Sequence, residues 1–195
     1  MTLSMPVALI AILNIIFVTL LPRIFFRQDG TWNLKWLLTA APYAVNPIFL
    51  LLNTEEIAIW EPVVFGFTKE RLILETAGIP FFALSIALIG FTIGIHRVPI
   101  ALWHQENDAP KSIVTQGPYA WVRHPFYTSF FMCLIGCVIV CPHPAPLGTL
   151  IYATVALMVT ARREERRLSA SEFGDEYREY MTKVGRFFPG IGRVS

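Results

Sequence analysis

IVTQGPYAWVRHPFY, residues Ile113 to Tyr127, is the stretch on which the reading of this chain turns. Gly117-Pro118 is a strong turn signal. Pro125 suits the first turn of a helix, where its missing N–H costs nothing. From Phe126 onward the chain is apolar, so Arg123 and His124 stand just outside an apolar helix, at its mouth. An arginine before such a segment satisfies the positive-inside rule and needs no further role. A histidine and an arginine behind a polar turn can equally hold a polar ligand at a membrane face. Arg123 alone does not decide between the two readings.

The composition sets the class. Of 195 residues, 54% are hydrophobic and only 15% charged, and the mean hydropathy is +0.53. A soluble domain carries about 25% charge. The chain reads as an integral membrane protein, with recurring apolar runs close to the roughly 20 residues that cross a bilayer. The N-terminus shows neither a basic leader nor a small-residue cleavage site, so the first apolar run reads as a retained helix. The three cysteines, Cys133, Cys137 and Cys141, share one helix face without a histidine or carboxylate at ligand spacing. They read as packing residues; neither a disulfide nor a metal is assigned. No nucleic acid partner is expected.

Five spans are predicted, at about 3–21, 34–52, 79–95, 126–141 and 147–161. Trp32 and Trp36 read as interfacial anchors. An acidic loop over 53–76 holds Glu55, Glu56, Glu61, Glu70 and Glu75 against Lys69 and Arg71, and a linker with Trp103 and His104 follows the third span. Three prolines within residues 141–146 turn the chain sharply between the last two spans, which then form a tight helical hairpin. A polar tail, residues 162–195, is expected to be helical to about Lys183 and irregular after Gly185. With five spans, the first loop, the linker and the tail share one side. That side holds 14 of the 16 Lys and Arg residues, which places it in the cytoplasm.

The hairpin brings distant residues together. The start of the fourth span and the end of the fifth lie at one face, so Arg123-His124 meets Arg162-Arg163-Glu164-Glu165 across about 40 residues of sequence. A purely lipid-binding basic patch has no use for the two glutamates, which lower its charge.

In this order and spacing the chain carries Gly117-Pro118-Tyr119, Arg123-His124-Pro125 with Tyr127, Glu164-Glu165, Phe173-Gly174 with Tyr177 and Tyr180, and Gly185-Arg186 with Pro189. As a set these resemble the isoprenylcysteine carboxyl methyltransferase and phospholipid methyltransferase family of integral membrane enzymes. The likeness covers about Ile113 to Ile191, and the five-span size resembles the short prokaryotic members. It implies an all-α membrane fold, with an N-terminal membrane region over 1–112 and a methyltransferase core over 113–195 whose tail closes over the cofactor. It implies S-adenosylmethionine as donor, bound at the cytoplasmic face of a prokaryotic inner membrane. The cofactor-binding set it implies is Gln116, Gly117, Tyr119, His124, Pro125, Tyr127, Glu164 and Glu165, with Arg123 and Glu165 catalytic. The implied acceptor is a lipophilic or lipidated molecule, such as an isoprenylcysteine-like carboxylate, drawn from the membrane lipids around the chain.

The chemistry suits these residue types. A carboxylate accepts from a ribose diol or an ammonium group, aromatic faces attract a sulfonium, and Arg takes a carboxylate with charge-assisted hydrogen bonds. A carboxylate acceptor needs no general base; an amine or thiol acceptor does, and His124 or Glu165 can serve. The sequence departs from the family before the donor motif: of a Leu-Gly and a Trp-Ser pair, Val98 to His104 keeps only Trp103. The acceptor therefore stays open, with a phospholipid amine or small thiol as the alternatives. Two other classes stand beside this one: a sterol-reductase-like enzyme using NADPH, whose 2′-phosphate the Arg162–Arg167 cluster can take, and a non-catalytic membrane protein.

Overall fold

A computed structural model describes residues 4–20, 30–32, 34, 46, 48–52, 54, 71–95 and 113–194. Five α-helices lie within them: α1 (Met5–Leu20), α2 (Arg71–Ile95), α3 (Pro125–Val140), α4 (Pro144–Ser169) and α5 (Gly174–Lys183). A short 3-10 helix, Gly117–Ala120, precedes α3. Among the described residues the β structure is limited to isolated bridges, such as Val122 with Gly185 and Phe188 with Ile191. Among the described residues two helices are long and apolar enough to cross a membrane, over Leu72–Ile95 and Pro144–Ser169. Much of the predicted second span, the acidic loop up to residue 70, and the linker with Trp103 and His104 lie outside the described residues.

α3 is the central helix and packs on α1, α2 and α4. Eleven of its 16 residues are buried. Cys133, Cys137 and Cys141 face a core made with Val7, Ala8, Ala11 and Ile15 of α1 and Phe82 of α2; their thiols are free. α2 and α3 approach closely because glycines meet at the crossing. A Cβ on Gly136 would stand 2.7 Å from the Phe82 ring, and one on Gly78 would stand 2.3 Å from Val140. Leu50 joins the same core.

Polar groups fix the direction of the helices. Glu75 accepts from the Ser4 amide and the Ser4 hydroxyl, both at 2.8 Å. Ten residues further along α1, the buried Asn14 amide donates to the Phe82 carbonyl at 3.0 Å and accepts from the Ser85 hydroxyl at 3.1 Å. α1 and α2 therefore run parallel. Ser85 also lies 2.8 Å from the Ser129 carbonyl, which ties the pair to the antiparallel α3.

Two boundaries differ from the sequence reading. The third predicted span begins two turns earlier, at Arg71, so Glu75 is a helical residue rather than a loop residue. The fifth does not stop at Ala161: α4 continues to Ser169 and carries Arg162–Arg167 as its last turns. The prolines that turn the chain also explain its clean restart. Pro144 and Pro146 fall in the first turn of α4, where amide N–H groups have no helical partner to lose. At about 1.5 Å per residue, the 26 residues of α4 reach well past an apolar layer of about 30 Å. Its polar end thus emerges beside the start of α3.

Candidate functional site

The turn ahead of α3 is built on Gly117. Its φ of +62° lies in the left-handed region that favours glycine, and a Cβ there would meet Ile95 Cδ1, the end of α2, at 2.0 Å. The 3-10 helix then closes with the Pro118 carbonyl accepting from Trp121 and Val122, both at 3.1 Å. Next, the backbone is stitched to the tail. Arg123 N–H donates to Gly185 O at 2.8 Å and His124 N–H to Arg186 O at 3.1 Å. The Thr128 hydroxyl lies 2.8 Å from Phe187 O. Gly185 is required here, since a Cβ would stand 2.1 Å from the Phe188 carbonyl.

Glu165 is the centre of the site. It sits 5% exposed on α4 and takes three cationic or polar partners. Arg123 Nε donates to Oε1 at 2.9 Å. Arg186 grips the carboxylate with both edges, Nε at 3.0 Å from each oxygen and Nη2 at 2.6 Å from Oε2. His124 Nε2 lies 3.2 Å from Oε1. Arg123 is buried to the same degree, and its remaining N–H groups go to backbone: Met181 O at 3.1 Å, Val184 O, and Gly192 O at 2.9 Å. Four of its five N–H groups are thus taken by protein. In this geometry Arg123 fixes Glu165 and ties the segment 181–192 over the helix mouth.

Glu164 faces the other way, as the 100° step between neighbouring helical residues requires. It accepts from the Tyr127 hydroxyl at 2.7 Å, and its Oε2 is 3.5 Å from His124 Nδ1. One imidazole thus lies between two carboxylates. Burial pushes the His124 pKa down from its ordinary value, more strongly than the Glu165 hydrogen bond raises it; Arg123 and Arg186 add to the lowering. A neutral ring donates one N–H, and the shorter contact, to Glu165, assigns it to Nε2. His124 and Tyr127 stack at 5.3 Å with a 13° interplanar angle. Tyr119 lies near the same face. Burial first, then Tyr180 and Glu164, push its phenol above the usual range, and its carbonyl accepts from the Tyr180 hydroxyl.

Of the residues singled out from sequence, the fold brings Arg123, His124, Tyr127, Glu164 and Glu165 into direct contact and Tyr119 beside them. Gln116 and Gly117 lie exposed on the turn. Pro125 is buried at the first position of α3 and acts through the backbone. Arg186 was not assigned to the site by the sequence reading, although its Gly185-Arg186 pair stood in the motif set. Its signal was there: a lone arginine after the glycine that ends a helical tail. On the far side of Glu165 a cavity of about 450 Å³ opens, lined by Arg162, Arg166, Ser169, Met181 and Arg186.

A helical membrane protein with an ionic cluster at the mouth of a helix hairpin is the class that this fold and site define. Residues 80–170, a little under half of the chain, match the model of the isoprenylcysteine carboxyl methyltransferase (ICMT) family. The chain is 36% identical over 90 residues to the protein-S-isoprenylcysteine O-methyltransferase of Homo sapiens, covering 46% of this chain and 31% of that one. It is 30% identical over 103 residues to that of Saccharomyces cerevisiae, covering 51% and 43%. It is also similar to the nickel-cobalt-cadmium resistance protein NccN of Alcaligenes xylosoxydans xylosoxydans, at 27% over 154 residues, 76% of this chain and 71% of that one. The chain spans about a third of the length of the first mammalian relatives it matches. No solved structure matches it significantly.

Proposed function

We propose that this chain is an S-adenosylmethionine-dependent methyltransferase acting on a lipophilic acceptor, with an isoprenylcysteine-like carboxylate as the first choice. The observation that carries the reading is the convergence of His124 and Tyr127 with Glu164 and Glu165, two segments about 40 residues apart that the family match also spans. The names of the relatives, protein-S-isoprenylcysteine O-methyltransferases, support the acceptor class.

The residues fit the donor by their chemistry. The face made by Glu164, Tyr127, Tyr119 and His124 joins a carboxylate to aromatic rings, which suits a sulfonium cation and a ribose diol. When bound, the donor supplies an electrophilic methyl group on sulfur. The chain's own part is alignment and exclusion of water. Glu164 and Glu165 accept hydrogen bonds from the donor's polar groups, with Gln116, Gly117 and Pro125 shaping the entrance. Arg123 and Arg186 hold Glu165 in place, and the segment 181–192 covers the mouth. A carboxylate acceptor attacks without a base. For an amine or thiol acceptor, neutral His124 is the group able to receive the proton.

The same proposal includes five spans, with the tail and the site on the cytoplasmic side of a prokaryotic inner membrane and with the core in 113–195. It rests on the 14 bases that share that side.

The test is binding of S-adenosylhomocysteine to the detergent-solubilised chain, together with transfer of a labelled methyl group into a membrane extract. Tyr127→Phe removes one hydrogen bond to Glu164 and nothing from the core. It is expected to weaken binding about fivefold, the worth of one hydrogen bond of about 1 kcal/mol. Wild-type chain that binds NADPH in place of S-adenosylhomocysteine would move the protein to the reductase class. Wild-type chain that binds neither and labels nothing would leave a non-catalytic membrane protein.

A further inference from the structure

α4 has an outer face that the proposed donor site does not use. Ile151, Val155 and Val159 stand 58%, 60% and 41% exposed. Arg162 and Arg166 continue the same stripe, since the steps of four, four, three and four residues keep all five side chains on one side of a helix. Neither guanidinium has a hydrogen-bond or ion-pair partner among the described residues. With Arg186 and Ser169 they line the cavity of about 450 Å³ beside Glu165. Arg186 has a spare donor there as well: its Nη1 meets only the Met158 sulfur, at 3.3 Å, and a thioether is a weak acceptor.

We propose that this cavity binds the phosphate of an anionic phospholipid whose acyl chain lies along Ile151, Val155 and Val159. Three features select that ligand. The charge is positive, because the one acid in the cavity, Glu165, is already engaged by Arg123, Arg186 and His124. Guanidinium forks match phosphate oxygens two at a time. The length also agrees. From Ile151 to Arg162 the helix rises about 16 Å, close to half of an apolar layer of about 30 Å, which is the depth of one leaflet. A free phosphate would need only the arginines; the apolar stripe that leads to them suits a lipid. The site lies across Glu165 from Glu164, Tyr127 and His124, so the lipid is a bound neighbour of the reaction centre and its retention does not depend on methyl transfer.

The experiment uses the full chain released from detergent in a native mass spectrometer, after incubation with dioleoyl phosphatidylglycerol or dioleoyl phosphatidylcholine. Phosphatidylglycerol is expected to be retained at least tenfold better, since both lipids carry the phosphate but only phosphatidylcholine brings a choline cation against the arginine cluster, and a like-charge contact of about 1.4 kcal/mol accounts for that factor. The double variant Arg162→Gln with Arg166→Gln should lose the preference. Arg163→Gln with Arg167→Gln, which removes the same charge about 100° further round α4 and outside the cavity lining, should keep it. Far-ultraviolet circular dichroism confirms that both remain helical; if the first does not, Arg162→Lys with Arg166→Lys takes its place and should lower the preference. Equal retention of the two lipids by the wild-type chain would overturn the proposal, as would equal loss in the two double variants. Displacement of phosphatidylglycerol by millimolar inorganic phosphate would overturn the lipid and leave a free-anion site.

Discussion

The hairpin α3–α4 carries a His-Pro pair at each end. His143-Pro144 opens α4, and His124-Pro125 opens α3; both histidines are 8% exposed. His143 behaves as an ordinary cap: its Nδ1 accepts from the Ala145 amide at 3.1 Å, and its ring packs tilted against Phe49, with centroids 4.5 Å apart. His124 makes no side-chain cap. Its two ring nitrogens face Glu165 and Glu164 instead. The dipeptide is the same, so the difference comes from what the fold places opposite. At one end it is a turn of three residues; at the other it is the last turns of α4 and the folded-back tail. A helix start gives up its local satisfaction only where another element provides a better partner.

The comparison breaks most visibly at Glu165. Glu165→Gln keeps the shape but leaves the buried Arg123 and the largely buried Arg186 without their anion. Removing one partner of a buried ion pair costs about 3–5 kcal/mol. The expected outcome is a large drop in the thermal midpoint in detergent, with the segment 181–192 becoming open to protease. A midpoint equal to wild type would mean that the ionic cluster does not hold the tail. His143→Ala, at the other end, should cost only about 1 kcal/mol, the worth of a cap, and should leave S-adenosylhomocysteine binding as in wild type. A loss of binding there would erase the distinction between the two ends.

The smallest effect is in pH. The unfolded chain protonates His124 near 6.5, while burial lowers its pKa in the fold. Below 6.5 the unfolded state therefore binds more protons, and stability falls as pH decreases toward the lowered value; above 6.5 this contribution is complete. The loss is at most about 1.4 kcal/mol per pH unit. Burial raises the Glu164 pKa to about 8, and that works in the opposite sense over the same window, so the His124 contribution is read as the difference between the unfolding midpoints of wild type and His124→Gln from pH 7.5 down to about 5.5.

The site's two halves were legible in sequence because each obeys a local rule. Gly117-Pro118 announces a turn, Pro125 a helix start, and a tight hairpin forces Glu164 and Glu165 back to His124. What joins the halves to the tail was not legible. Arg123 spends its N–H groups on the carbonyls of Met181, Val184 and Gly192, and a carbonyl is present at every residue, so no residue type marks the partner. The tail was read as helical from Arg162, but its continuity with the fifth span was not drawn, for a different reason: the composition of α4 changes at Arg162 while its backbone geometry does not. Apolarity sets where a helix meets lipid; it does not set where the helix ends.

Asn14 has a consequence for how the chain is made. Its amide sits in an otherwise apolar helix, and its partners, Phe82 and Ser85, come 68 and 71 residues later in the sequence. For the time a ribosome needs to add those residues, α1 has an unmet donor and acceptor, which lipid cannot satisfy. On the five-span topology proposed above, the helix would therefore be a poor solitary anchor during synthesis and would settle only with the arrival of α2. A nascent chain halted before residue 71 should be extracted from membranes by alkali more readily than one halted beyond residue 95, and Asn14→Leu should remove the difference.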